Sequence, residues 1–392
     1  MNTFVNKLPK INNEISFTKQ TLSKFYNVLQ KGLDNWENHD ILMSSSEIVY
    51  TNDNLILNFD GFTHIDKPIR DIIHNYGLYH KKTTIRLNEH QYIIHFILPC
   101  NQNDITIKQA NIFFNKCLKQ IYIWLFFVQS HIKKDCSNIM NVHLLFTNHT
   151  KKLGQDGTIL STIHANSAFT TACKQETNIC IYRKEEWFKV FIHETFHCLG
   201  LDFSDVDNSM SESTIVQMFK VENNRGIRVY ESYCELWAES LNVTIVSFLK
   251  TKTKDDFISK FKTLINKELS FSLFQMIKVL QYHRVNYTDL LDLNCKTVRF
   301  KEKTHILSYY VLKTILFFNL NKFEKWCKSN NITLLQFDST NTKINGYIEL
   351  IQRLYDKESL LESILKIQKY IDNSTNISVD IQNTMRMSIT EL

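Results

Sequence analysis

EEWFKVFIHETFHCLGLDFSD, residues 185–205, holds His193 and His197 four positions apart, with Glu194 beside the first. In a helix, residues four apart share a face, so both imidazoles can point at one place. Glu194 then lies about 100° around the helix from His193, near enough to reach a metal-bound water without ligating. Two neutral imidazoles, a third ligand and one open position make the arrangement of a catalytic zinc. Trp187, Phe188, Val190, Phe191, Ile192, Phe196 and Leu199 spread around most of the circumference, which predicts a central, buried helix. Polar groups inside such a helix need partners, and a metal supplies them. Without a metal, the same segment is a core helix that happens to carry two histidines. Glu185 and Glu186 suit the helix start, and Gly200 permits a left-handed exit at its end.

The third ligand has to come from elsewhere. In the extended pattern HExxHxxGxxH the last histidine stands ten residues after the first, and that position here is Phe203. Asp202 and Asp205 flank it but reach a metal only with unusual backbone geometry. Farther on, YESYCELWAESLNV (residues 230–243) places Glu231, Glu235 and Glu239 along one helical stripe in an apolar segment with few basic partners. Like charges at that spacing repel, so a cation is wanted among them.

HExxH followed by a second helix bearing Glu-x-x-(Ala/Ser)-(Asp/Glu) resembles the gluzincin group of zinc peptidases, of which thermolysin is the familiar member. The matching residues here are Glu235-Leu236-Trp237-Ala238-Glu239. The resemblance implies one zinc ion per chain on His193, His197 and Glu235. It implies Glu239 as the carboxylate that holds His193 by its other ring nitrogen. Glu231, one turn earlier, and Asp202 are the alternative third ligands. It implies a metal-activated water with Glu194 as general base, hence a metalloendopeptidase acting on peptides or proteins. Upstream, HANSAFTTA (residues 164–172) fits the edge strand along which such enzymes lay substrate, with Asn166, Ser167 and Ala168 as substrate-binding residues. THILSYYVLK (residues 304–313) offers His305 and Tyr310 as donors to the developing oxyanion. The stretch from NSAFT to YCELWAE is also similar to predicted metallopeptidases of large mimivirus-like DNA viruses. An alternative of another class is a catalytically inactive zincin-fold binding or virion protein whose zinc is structural.

Composition narrows the field. Of 392 residues, 43% are hydrophobic and 22% charged, which fits a globular protein with a real core. The net charge of +6 comes without a basic block, arguing against nucleic acid as partner. The longest apolar run, IYIWLFFV at 121–128, is far short of the ~20 residues that span a bilayer, so no membrane partner is expected. The start, MNTFVNKLPKINNE, lacks the pattern of a secretory signal, and nine cysteines stand without CxxC pairs. These features predict reduced thiols and an intracellular, cytoplasmic location, in host cytoplasm or virion if the chain is viral. Scarce glycine (8) and proline (3) beside abundant Asn, Lys, Ile, Phe and Tyr point to an A/T-rich genome.

Along the chain, a helix is expected at 17–33, a hairpin around Asn52-Asp53-Asn54, and a second hairpin at 83–98. A long helix is expected near 106–132, a strand at 141–146 and extended pieces at 161–172 and 178–183. Helix 184–201, an irregular stretch at 202–227 and a mostly helical remainder follow, with loops near NYTD and LNCKTVRFKEKT. The expected class is α+β, a zincin-like unit with a mixed sheet and active-site helix, then a mostly helical part. The expected domains are an N-terminal α+β segment (1–80), the catalytic domain (81–250) and a helical domain (251–392).

Overall fold

The computed structural model describes residues 1–38, 42–52, 57, 59, 61–101, 103–219, 221, 227–292, 300–374 and 377–392. The fold is α+β, a mixed seven-stranded sheet with a mostly helical C-terminal part. The chain resolves into two compact units that interleave along the sequence. One is Ser23–Thr150 with Ser167–Leu201; the other is Met1–Leu22, Lys151–Asn166 and Asp202–Leu392.

The first unit holds the sheet: β1 Leu42–Ser45, β2 Val49–Thr51, β3 Leu78–Leu87, β4 His90–Pro99, β5 Ile139–Leu145, β6 Ala168–Thr170 and β7 Glu176–Ile181. Their order is β1-β3-β4-β5-β7-β6, with β2 also on β3. β3 and β4 form the expected second hairpin, turned at Asn88 with φ 54°, a left-handed position that asparagine tolerates. β4, β5 and β7 run parallel, and the crossover from β4 to β5 carries helix Ile107–Val128. Thr106 and Gln109 start that helix with reciprocal caps. Tyr92, Ile94 and Phe96 of β4 and Val142 and Leu144 of β5 are fully buried on one sheet face, where Phe96 stacks on Phe114 of the crossover helix. The other face packs Ile97, Leu145 and Cys180 against Ile69 and Ile73 of helix Lys67–His74. Helix Lys19–Glu37 approaches the crossover helix at Gly32, where a Cβ would stand 2.9 Å from the Phe126 ring.

Several expectations change. β2 pairs with β3; Asp53 and Asn54 of the expected turn, and most of the strand expected after it, lie outside the described residues. The extended piece at 161–172 begins as a single helical turn, Thr162–Ala165, before β6. The irregular stretch contains helix Ser209–Phe219, whose first turn Asp207 supports by accepting from the Ser209 N–H at 3.0 Å. The loop expected at NYTD is the short helix Tyr287–Leu291, with Asn286 as its cap. Residues 293–299 of LNCKTVRFKEKT lie outside the described residues.

Reduced thiols do not hold throughout: Cys136 and Cys173 form a disulfide across 37 residues, with Cα atoms 4.9 Å apart. The pair is made by the fold, because β5 and β7 are neighbours and the two cysteines precede them. Closing a loop of that size stabilises by about 2–4 kcal/mol. Among the described residues, six other cysteines are free.

The second unit is built around helix Tyr230–Leu249, in which every residue from Tyr230 to Phe248 is buried. Helix Lys254–Tyr282 packs along it, and a π-helical stretch, Leu307–Leu312, leads into helix Lys313–Phe318 against both.

Across the sheet, His80, His95 and His143 form a ladder on three adjacent strands. His80 Nε2 lies 3.1 Å from His95 Nδ1, His95 stacks on His143 at 4.7 Å, and Phe59 stacks on His143 at 3.8 Å. Burial is the main cause of their lowered pKa values, with His95 pushed to about 4 and His143 to about 3; neighbouring histidines, and Lys82 at His80 and His95, add repulsion. Between the unfolded value near ~6.5 and these folded values, the unfolded chain binds more protons. Stability of this unit is therefore full above about pH 6.5 and falls as pH drops toward 4. The urea midpoint should decrease from pH 7 to 4.5, and His143→Phe, which keeps the stack on Phe59, should flatten that decrease. An unchanged slope in the variant would contradict the ladder's role.

Candidate metal centre

The histidine helix runs Trp187–Cys198, and every residue from Phe188 to Cys198 is buried. Its C-terminal half is held within the sheet unit on one side and at its end. Trp124 Nε1 donates to Thr195 Oγ1 at 2.9 Å, tying it to the crossover helix. At its C-terminus, Leu201 N–H donates to Phe196 O at 2.9 Å and Gly200 N–H to His197 O at 3.3 Å, with Gly200 at φ 63°. That is the left-handed exit expected from the sequence. A Cβ on Gly200 would meet Cys136 Sγ at 2.8 Å, so the disulfide and this turn pack on each other.

The two imidazoles point the same way: His193 Nε2 and His197 Nε2 lie 3.3 Å apart. For two nitrogens on one tetrahedral zinc at ~2.0–2.1 Å each, the separation is about 3.3–3.4 Å. The spacing suits two ligands of one metal ion.

Helix Tyr230–Leu249 carries the carboxylates. Donor atoms of His193, His197 and Glu231 all lie within 4.8 Å of one another, and the three residues are buried. A second group meeting the same criterion is His197, Asp202 and Cys234. This buried His/Glu/Asp/Cys group could hold a metal ion. The donor set fits one, since imidazole, carboxylate and thiolate are all metal ligands. Cys234 Sγ donates to Asp202 Oδ2 at 3.4 Å, and Ser204 Oγ to Asp202 Oδ1 at 3.0 Å.

Glu235, the expected third ligand, is buried one turn after Glu231 but belongs to neither group among the described residues. Glu239 lies two turns on, a rise of about 12 Å from Glu231. Its carboxylate accepts from Lys313 Nζ at 2.6 Å and Ser272 Oγ at 2.9 Å. Burial raises its pKa to about 8, against the opposing pull of Lys313. Both oxygens are thus engaged by Lys313 and Ser272, not by the expected His193. Asp205 is exposed, and Phe203 sits in a ring cluster with Phe337, Tyr233 and Tyr347.

The other expected residues separate. Ala168 lies on β6 opposite Ile181, at the end of the sheet order, and the Ser167 carbonyl accepts from the Tyr182 N–H at 2.9 Å. Asn166 Oδ1 accepts from Thr304 Oγ1 at 2.8 Å. Tyr310 is buried, and its hydroxyl donates to Met385 O at 2.5 Å, which commits the one proton it has to give. His305 is half-buried, with its ring 6.0 Å from Tyr309.

The pattern Glu-x-x-small-(Asp/Glu) can also be read one turn earlier, as Glu231-Ser232-Tyr233-Cys234-Glu235, with cysteine as the small residue. That is the signal for Glu231 in the sequence. Asp202 with Cys234 had no such signal, because 32 residues separate them.

No family model matches the chain, and no solved structure matches it. It is similar to the uncharacterized protein R210 of Acanthamoeba polyphaga mimivirus, 24% identical over 207 residues that cover 50% of each chain. The chain thus spans about half the length of that relative. The similarity suggests a viral origin. Among the described residues, no helix is long and apolar enough to cross a membrane.

Titration of the purified protein with zinc separates the glutamates. Glu231→Gln should weaken binding more than 100-fold, whereas Glu235→Gln should weaken it by about 10–100-fold, as expected of a residue behind the ligands. The reverse ranking would favour Glu235 as the ligand.

Proposed function

We propose that the chain is a zinc-dependent peptidase in which His193, His197 and Glu231 hold the metal and Glu194 is the general base. The observation that carries this reading is the 3.3 Å approach of the two Nε2 atoms, with the Glu231 carboxylate in the same cluster. A zinc ion bound there would supply a water with a strongly lowered pKa and a positive charge for the carbonyl oxygen. Glu194, next to His193 and only slightly exposed, takes the proton from the attacking water and passes it to the leaving amine. Glu235, one turn behind Glu231, is placed along the helix to orient the ligands, a task that falls to carboxylates beside metal sites.

β6 supports the same reading. It is the last strand in the sheet order, antiparallel to β7, and its Thr170 Oγ1 lies 2.7 Å from Cys198 Sγ of the histidine helix. A peptide substrate paired with that edge would lie beside the helix that carries Glu194. Peptides or proteins are therefore the substrate class.

One observation favours a second reading, a zincin-fold binding or virion protein with structural zinc. Asp202 and Cys234 approach His197, and a thiolate added to two imidazoles and a carboxylate would close the coordination shell.

Glu194→Gln tests the choice. With zinc content unchanged, hydrolysis of a mixed peptide library, followed by mass spectrometry, should fall by about 10²–10⁴-fold. Equal hydrolysis by the variant would remove Glu194 as base, and none by the native protein would favour the closed structural site.

A further inference from the structure

In the helical unit, residues 384–391 run without helix through a groove whose walls are polar side chains. Met385, Met387 and Ile389 alternate along the segment and are 0%, 4% and 6% exposed. Between them the main chain is held at nearly every step. Lys152 bridges Thr384 in antiparallel fashion, and Met385 N–H donates to Lys151 O at 3.1 Å. Tyr310 donates to Met385 O, and Gln275 Nε2 donates to the Thr384 and Arg386 carbonyls. Lys278 Nζ donates to Ile381 O at 3.1 Å and to Thr384 O. The Glu268 carboxylate accepts from Ile389 N–H at 3.1 Å, Thr390 N–H at 2.7 Å and the Ser388 hydroxyl at 2.9 Å. Asn242 Nδ2 donates to Thr390 O at 2.8 Å.

Those five side chains are at most 7% exposed, and all but one of these bonds from them go to main-chain atoms. Remove the segment and a carboxylate, an ammonium, two amides and a phenol lose partners inside the unit. Each loss costs about 1–3 kcal/mol, more for the charged groups. The helices therefore shape a hole with acceptors where peptide N–H groups fall and donors where carbonyls fall. Main-chain contacts with pockets for alternate apolar side chains are the physics of extended-peptide recognition.

We propose that this groove is a binding site for an extended peptide with apolar side chains at alternate positions. In this structure residues 384–391 of the chain itself fill it, and an outside peptide can exchange for them. The inference stands apart from the metal reading.

The test uses the full chain with residues 374–378 replaced by a specific protease site and cut after folding, with circular dichroism confirming an intact fold. A fluorescent peptide of residues 379–392 should then raise its anisotropy on binding and be displaced by the unlabelled peptide. A peptide N-methylated at Thr390, which lacks the N–H for Glu268, should compete at least tenfold less well. In the uncut chain, the Ile389 and Thr390 amides should exchange hydrogen faster than mid-helix amides of Lys254–Tyr282. Failure of the labelled peptide to enter a folded, cut chain overturns the proposal. So does exchange at Ile389 and Thr390 as slow as in the helix core, which also decides the matter if cutting unfolds the protein.

Discussion

Two imidazole nitrogens held 3.3 Å apart in a helix buried along its length are the constraint on which the rest depends. That separation matches two nitrogens on one tetrahedral metal ion, which the buried group around them could hold. The surrounding structure holds the pair in place. The Trp124–Thr195 bond sets one side of the helix, the left-handed turn at Gly200 sets its end, and the disulfide packs behind that turn.

The glutamate helix shows how one stripe of like residues is divided among tasks by helical rise alone. Glu231, Glu235 and Glu239 are all buried and stand one turn apart. The first shares a cluster with the imidazoles, while the third belongs to a buried pair with Lys313 about 12 Å farther along. A single cation cannot serve both ends. For Glu239 the repulsion visible in the sequence is answered by Lys313 and Ser272.

What the sequence made legible was local. The hairpin 83–98, the long helix near 106–132, the buried histidine helix and its glycine exit follow from periodicity and cap chemistry, and each is found within a few residues of its expected place. The register of the glutamate stripe was not legible, because a helix offers equivalent faces at every fourth residue and only tertiary packing selects among them. Cys136 with Cys173 and Asp202 with Cys234 are likewise products of the fold. Helix Ser209–Phe219 escaped because its Ser-rich start favours turns, and its apolar residues crowd into its second half instead of recurring at three and four. Residues 384–391 carried an apolar alternation, yet nothing local announced that buried side chains from other helices would hold their main chain.

Each of the two buried clusters around His197 could hold a metal ion, and they would make different demands on it. One surrounds it with nitrogen and oxygen; the other brings the Cys234 sulfur. X-ray absorption at the zinc edge of the metal-loaded protein reads that difference directly. The account predicts nitrogen and oxygen neighbours at about 2.0–2.1 Å with the outer-shell scattering of two imidazoles. A sulfur neighbour at about 2.3 Å, or a metal without imidazole scattering, would contradict it.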